Sequence, residues 1–299
     1  MTIRNCFAAS LLFCVLTAIA VAQGTGERTP ILTGFVPMPE QKLQEGFVRV
    51  FDNTSTFGWK GANIGTDGKL HFTGRIAETP FFFLGFDDIP LSVTLSAVLF
   101  TVSAEDMVKP AGTLTPIFDG ETLNGWVIRS RDEDVRVAAV VENGTIKLTG
   151  GPGSLEYEGK YGDFLLQLEY RTDKVVNSGV FFRCIPGEMM NGYECQILNN
   201  PGDRDYQSFI GTDTGGIFRR QIGRNVGPKD GEWNYLTIVA RGSKMSTWVN
   251  GIQVTDWMDE REPHENPRNG LRVEPGTIQF QGHDRGTEIW FRNIRIREL

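Results

Sequence analysis

Apolar and polar residues alternate one by one along most of the second half of the chain, which is the period of a half-buried β-strand. Within 164–171, Phe164, Leu166, Leu168 and Tyr170 hold one parity, and Leu165, Gln167, Glu169 and Arg171 the other. Similar runs fall at 145–149, 178–184, 192–198, 234–240, 245–250, 276–283 and 287–297. Between them stand clusters such as Asn250-Gly251 and Pro275-Gly276, residues that reach turn dihedrals at little cost. No long stretch shows the i, i+3, i+4, i+7 spacing of an amphipathic helix. Many short strands without crossover helices predict an all-β chain, a jelly-roll β-sandwich of two antiparallel sheets.

The pattern also repeats. Phe51-Asp52 precedes Gly58-Trp59 by the spacing that separates Phe118-Asp119 from Gly125-Trp126, and 68–74 matches 144–150. The second copy runs on into the full set of strands. The first continues only through Phe81–Phe86 and Leu91–Val102. The expected organisation is a linker at 23–45, a truncated accessory β-unit at 46–112 and a main sandwich at 113–299. Residues 1–22 read as a secretory signal: Arg4 is followed by a mostly apolar run from Phe7 to Ile19, then by Ala20-Val21-Ala22 as a small-x-small cleavage site. A secreted or periplasmic location follows, with no membrane attachment after cleavage.

Charge narrows the partners. The chain has 37 acidic and 30 basic residues in 299, a formal charge of −7. Such a surface repels a phosphate backbone or an anionic membrane, so nucleic acid is excluded and neutral partners are favoured. There is no Gly-x-Ser-x-Gly elbow, no His-Glu-x-x-His helix and no phosphate loop. Three scattered histidines, His71, His264 and His283, do not make a zinc site, and no cofactor is evident. Beyond the signal only Cys184 and Cys195 remain. Alternation puts them on one face, which leaves open either a disulfide in an oxidising compartment or two buried thiols.

Parity also gathers chemistry. If Val180, Phe182 and Cys184 face the core, Arg183 faces out; if Tyr193, Cys195 and Ile197 face in, Glu194 and Gln196 face out. Gln281 and His283 lie opposite Ile278 and Phe280. Glu169, Trp248 and Arg292 are further candidates for the same outer face, although a bulge is expected near Phe291–Ile294. Carboxylates, amides and flat aromatics on a curved sheet suit a sugar, whose hydroxyls take polar partners and whose C–H faces stack on indole.

The motifs resemble a known family. Phe118–Trp126, Asn177–Arg183, Gly192–Leu198, Trp233-Asn234, Val249–Gly251, Gln279–His283 and Phe291–Ile296 follow one another as in the 3-keto-disaccharide hydrolase domain. The resemblance covers 113–299 and implies a concanavalin A-like sandwich acting on an oligosaccharide or glycoside oxidised to a ketone at sugar C3. Such a ketone acidifies the C2 proton, so a base can remove it, the C1 substituent leaves, and water adds back. The resemblance implies Glu194 as base and His283 as acid, or the reverse, with Arg183 on the enolate. Gln196, Trp248, Glu169, Gln281 and Arg292 would bind the substrate, and a divalent metal could polarise the keto-enolate oxygens. The alternatives are a glycan-binding module without turnover and a two-carboxylate glycosidase using Glu169 and Glu194.

Overall fold

In the computed structural model the described residues are 31–49, 107–130, 137–199 and 213–299, with short stretches between 51 and 102. The signal at 1–22 and the runs at 81–86 and 91–98 lie outside them. A short helix, α1 (Glu40–Gln44), precedes β1 (Val48–Arg49), β2 (Ala62–Ile64), β3 (Leu70–Thr73), β4 (Leu99–Val102) and β5 (Met107–Val108). The sandwich opens with β6 (Thr115–Pro116), β7 (Trp126–Ser130), β8 (Ala138–Glu142), β9 (Thr145–Thr149) and β10 (Gly153–Tyr161). It continues with β11 (Phe164–Arg171), β12 (Ser178–Cys184), β13 (Tyr193–Ile197) and β14 (Asn234–Arg241). It closes with β15 (Lys244–Val249), β16 (Ile252–Met258), β17 (Gly276–Gly282) and β18 (Glu288–Glu298).

Two antiparallel sheets make the body. One has five strands in the order β13-β12-β17-β10-β7. The other runs β16-β15-β14-β11-β18-β9-β8, with β6 added on β18. Phe164, Leu166, Leu168 and Tyr170 of β11 face inward as their parity predicts, against Phe182, Val180 and Phe280 of the smaller sheet. Ring pairs bridge the sheets, among them Phe280, which stacks on Phe291 at 4.1 Å between centroids, and Phe164, which meets Phe182 edge-on at 5.7 Å. Each buried ring of this kind contributes roughly 2–3 kcal/mol of hydrophobic burial. The jelly-roll sandwich read from alternation is the fold of the protein.

A turn and a bulge show why the strands pair as they do. Asn250 and Gly251 adopt φ of 49° and 78°, the left-handed pair that a two-residue hairpin between β15 and β16 requires. The expected bulge in β18 is also present: Gln167 pairs Arg295 and Glu169 pairs Arg292, with Asn293 at φ 51° taking the extra position.

The repeat is structural as well as sequential. Asp119 accepts the amides of Glu121 and Thr122 and the Thr122 hydroxyl, and Thr122 in turn accepts the Asn124 amide. Asp52 accepts from Thr54, Ser55 and the Ser55 hydroxyl, and Ser55 accepts the Phe57 amide, in the same geometry. Each Asp-headed turn is followed by a hairpin, β2–β3 in the first copy and β8–β9 in the second.

Residues 31–49, read from the sequence as linker and the start of the accessory unit, are an arm docked on the sandwich. Leu32 donates to the Asn225 carbonyl at 2.6 Å, Arg49 to the Gly251 carbonyl at 2.8 Å, and the Gln167 side chain to the Gly46 carbonyl at 2.8 Å. Just beyond the arm, Asp52 is buried in an ion pair with Arg224.

Candidate active site

The site grows from the outer face of the five-stranded sheet. Register places Glu194 beside Phe181 and Gln196 beside Gly179, and Phe181 pairs in turn with Gln279. Val180 opposite Phe280 brings Gln281 alongside Gly179. Gly179 is the floor: a methyl group there would stand 2.9 Å from Oε1 of Glu194, so glycine leaves the carboxylate room to lie over the sheet where a larger residue would push it aside. This explains the glycine of the Asn177-Ser178-Gly179 motif in physical terms. Gln196 donates to Asn177 Oδ1 at 2.7 Å and to the Ser178 carbonyl at 2.9 Å, which ties the motif's ends together.

Loops build the walls. Gly215–Phe218 runs along β13: the Gln196 amide donates to Gly216, and the Phe218 amide to Glu194. A tight hairpin from Ile217 to Gln221 then sets Phe218, Arg219 and Arg220 beside Glu194. From the other side comes the loop after β16. Arg261 holds it by donating to the carbonyls of Pro267 and Gly270 and by pairing with Asp259 at 2.8 Å. Its Arg268 rests on the rings of Phe181 at 5.1 Å and Phe218 at 5.9 Å, and reaches Glu194 with 3.6 Å between Nη2 and Oε2. The cleft so formed, of about 210 Å³, is lined by Glu194, Tyr193, Phe218, Arg219, Arg220 and Arg268.

Two carboxylates on this face have opposite electrostatics. Glu194 is only 5% exposed, and burial pushes its pKa up to about 7 against the lowering pull of Arg268 and Arg219. Glu156 is also buried, which would raise it. Its hydrogen bonds from Thr277, Arg129 and the Gly187 amide outweigh that and hold it below the ordinary carboxylate value. Gln279, bonded to Glu156, Glu188, Ser154 and Met190, is satisfied within the protein. Gln281 differs: its amide nitrogen meets the Met190 sulfur at 3.2 Å, while its buried carbonyl oxygen has no hydrogen-bond partner among the described residues.

Of the residues expected at the site, Glu194, Gln196 and Gln281 come together. His283 extends the Gln279–Gln281 row past the end of β17, exposed, with its ring 3.4 Å from the Asp284 carboxylate. The expectation for Arg183 is corrected. A bulge between Phe181 and Cys184, with Arg183 at φ 49°, takes it off the outer face. Its guanidinium is fully buried, donating to the carbonyls of Gly162, Gly242 and Arg272 and pairing with Asp163 at 3.1 Å. The same bulge breaks the parity of the cysteines. Cys184 pairs with Thr277 of the outer face, whereas Cys195 belongs to the core, and both are free, buried thiols rather than a disulfide.

Trp248, Glu169 and Arg292 are likewise corrected, because they belong to the other sheet. Trp248 lies opposite Thr237 and is fully buried. Glu169 is bound by Arg292 at 2.7 Å and by Asn293 at 2.6 Å. A glycosidase pair of Glu169 and Glu194 is therefore excluded, since one glycosidic bond cannot lie between the outer faces of two sheets. Arg268 and Arg219 were missed because they stand on loops, where no periodicity assigns a face. The aperiodic Pro267-Arg268-Asn269-Gly270 was the available signal. Among the described residues no group of three His, Cys, Asp or Glu could hold a metal ion.

The model of the 3-keto-alpha-glucoside-1,2-lyase-like domain matches residues 113–297, most of the chain and all of the cleft. The chain belongs to that family. It is a hydrolase-type carbohydrate-active enzyme. A relative from Bacteroides thetaiotaomicron, named 3-keto-disaccharide hydrolase, is 27% identical over 234 residues, spanning 61% of this chain and 77% of that protein. A solved structure from Parabacteroides distasonis, provisionally named a glycosyl hydrolase, is similar in fold, with a TM-score of 0.51 and 20% identity over 62% of this chain and 94% of its own.

Proposed function

We propose that the protein cleaves 3-keto-glycosides by removing the C2 proton, expelling the C1 substituent and then hydrating the product. The observation that carries this reading is Glu194, a buried carboxylate in the family's own motif, poised near neutral pH with a guanidinium 3.6 Å away. A base works best when its pKa sits near the working pH, and burial supplies that shift here. Arg268 takes the place first assigned to Arg183: a cation beside the base faces the oxygen on which enolate charge develops. The ring would lie over Gly179, with the unpartnered Gln281 oxygen accepting one of its hydroxyls. His283, at the end of the same row, is proposed as the acid for the leaving oxygen. Export of the mature chain, from Gln23 onward, is proposed from the signal pattern at 1–22.

The decisive experiment assays the mature protein against the 3-keto and unoxidised forms of one glucoside. Turnover of the ketone alone is expected, and Glu194→Gln should lower it about a thousandfold, within the range of a lost general base. Equal turnover of the unoxidised glucoside, or undiminished activity in the variant, would overturn the mechanism.

A further inference from the structure

None of the described residues that line the cleft comes from the first copy of the repeat. That copy nevertheless reaches the loop that walls the cleft. Residues 213–227 run out and back around the Ile217–Gln221 hairpin and join the edges of the two sheets. The outgoing arm lies along β13, where the Gly215 amide donates to the Gln196 carbonyl and Ile217 bridges Cys195. The tip carries Phe218 and Arg219 beside Glu194. The return arm lies along β16: the Arg224 amide donates to the Val254 carbonyl at 3.0 Å, and the Asp256 amide donates to the Gln221 side chain at 3.1 Å. The arms are in close contact, since a methyl group on Gly223 would stand 2.7 Å from the Gly216 amide nitrogen. A shift of one arm therefore moves the other.

Three contacts from residues 32–57 converge on two consecutive residues of the return arm. Leu32 donates to the Asn225 carbonyl at 2.6 Å. Asp52 pairs with Arg224, and the Arg224 guanidinium lies over the Phe57 ring at 4.5 Å. The same guanidinium donates to the Gln253 carbonyl at 3.2 Å, so turn, hairpin and β16 are tied at one point. Capping the edge of β16 would need main-chain contacts alone, such as that of Arg49 with Gly251. In the second copy, Asp119 heads the same kind of turn but stands exposed, with its carboxylate serving Glu121 and Thr122. Asp52 does as much for Thr54 and Ser55, and is buried against Arg224 besides. A buried pair fixes geometry, because moving either charge leaves the other desolvated and uncompensated.

We propose that the Asp52-headed turn positions the cleft: through the Asp52–Arg224 pair it sets the return arm of the hairpin, and with it the stance of Phe218 and Arg219 beside Glu194. Asp52 and Arg224 are positioning residues, and the truncated copy is a brace for the enzyme, not a second site. The effect on turnover rests on the keto-glycoside reading of the cleft; the bracing does not.

The test compares Asp52→Asn with Asp119→Asn in the full chain. Asparagine can still accept the turn amides, so each variant loses mainly the charge. In Asp52→Asn, kcat/KM for a 3-keto-glucoside should fall about tenfold in the folded enzyme, the scale of a small misplacement around a reacting centre. The inflection of its pH profile should move upward from about 7, because Arg219 lowers the Glu194 pKa and would stand farther off. Asp119→Asn should leave both readings unchanged. Arg224→Gln should match Asp52→Asn, and the double variant should be no worse than either, as for two residues acting through one contact. A lowered melting temperature in Asp52→Asn with kcat/KM and inflection unchanged would make the turn a structural dock only and overturn the proposal. Should Asp52→Asn fail to fold, Arg224→Lys, which keeps the cation but not the guanidinium fork, takes its place with the same expectations at smaller size. If no ketone is turned over, the catalytic reading falls, and hydrogen exchange of the Ile217–Gln221 amides then decides the brace alone. Faster exchange there in the variant than in the wild type, with β11 unchanged, upholds it, and equal exchange removes it.

Discussion

On the outer face of the eight-stranded sheet, Glu169 accepts from both Arg292 and Asn293, and the docked arm comes close enough for Gly46 to bond its neighbour Gln167. On the outer face of the five-stranded sheet, Glu194 has Arg268 at 3.6 Å and Arg219 nearby, and Gln281 keeps a buried oxygen without a partner among the described residues. The residue types are alike and both carboxylates are nearly inaccessible. The difference is satisfaction. A carboxylate with well-placed donors is already at rest, whereas one whose desolvation outweighs the pull of the nearby Arg268 and Arg219 holds its proton near neutrality and can exchange it. Burial with partners makes a strut, and burial without them makes a reagent.

The comparison can be pressed through stability. Glu194 is raised from its ordinary 4.5 to about 7, so the folded chain keeps a proton that the unfolded chain releases between those values. The contribution of Glu194 to stability is therefore greatest below about 4.5 and declines as pH rises through 7, by on the order of 3 kcal/mol. Chemical denaturation across that range should show this slope in the wild type and lose it in Glu194→Gln. An identical slope in both would mean that Glu194 is an ordinary carboxylate. The same group should make kcat/KM for a 3-keto-glycoside rise with pH up to an inflection near 7 and level off beyond it.

Glu169→Gln should do the reverse. It removes the charge from the contacts with Arg292 and Asn293 and should cost about 2 kcal/mol of unfolding free energy, with turnover unchanged. A large loss of activity without loss of stability would place Glu169 in the chemistry after all. The smallest effect is expected from reductant: with both thiols free and buried, thermal unfolding should not shift, and a thiol reagent should react only after denaturation. A fall in melting temperature under reducing conditions would reveal a cross-link.

Wherever neighbouring strands keep step, alternation told the face: β9, β12 and β18 match the predicted runs closely, and Glu194, Gln196 and Gln281 landed together. Parity failed at one bulge. At Arg183 a single extra residue turned an outward arginine inward and sent two cysteines to opposite sides. It was also silent about which sheet a face belongs to, so Glu169, Arg292 and Trp248 were grouped with residues from which the sandwich separates them.

What the order of residues determined is local: strand period, turn chemistry, the repeated Asp-headed turn, and a motif set specific enough to name the family. These depend on dihedral preferences and on which side chains a strand can bury, and both act over a few residues. Sheet membership, the bulge at Arg183, the arm docked on the larger sheet and the meeting of Arg268 with Glu194 were decided only in three dimensions. They arise from pairings between strands and loops far apart in the chain, where the balance of burial and hydrogen bonding is settled by the whole fold rather than by any segment.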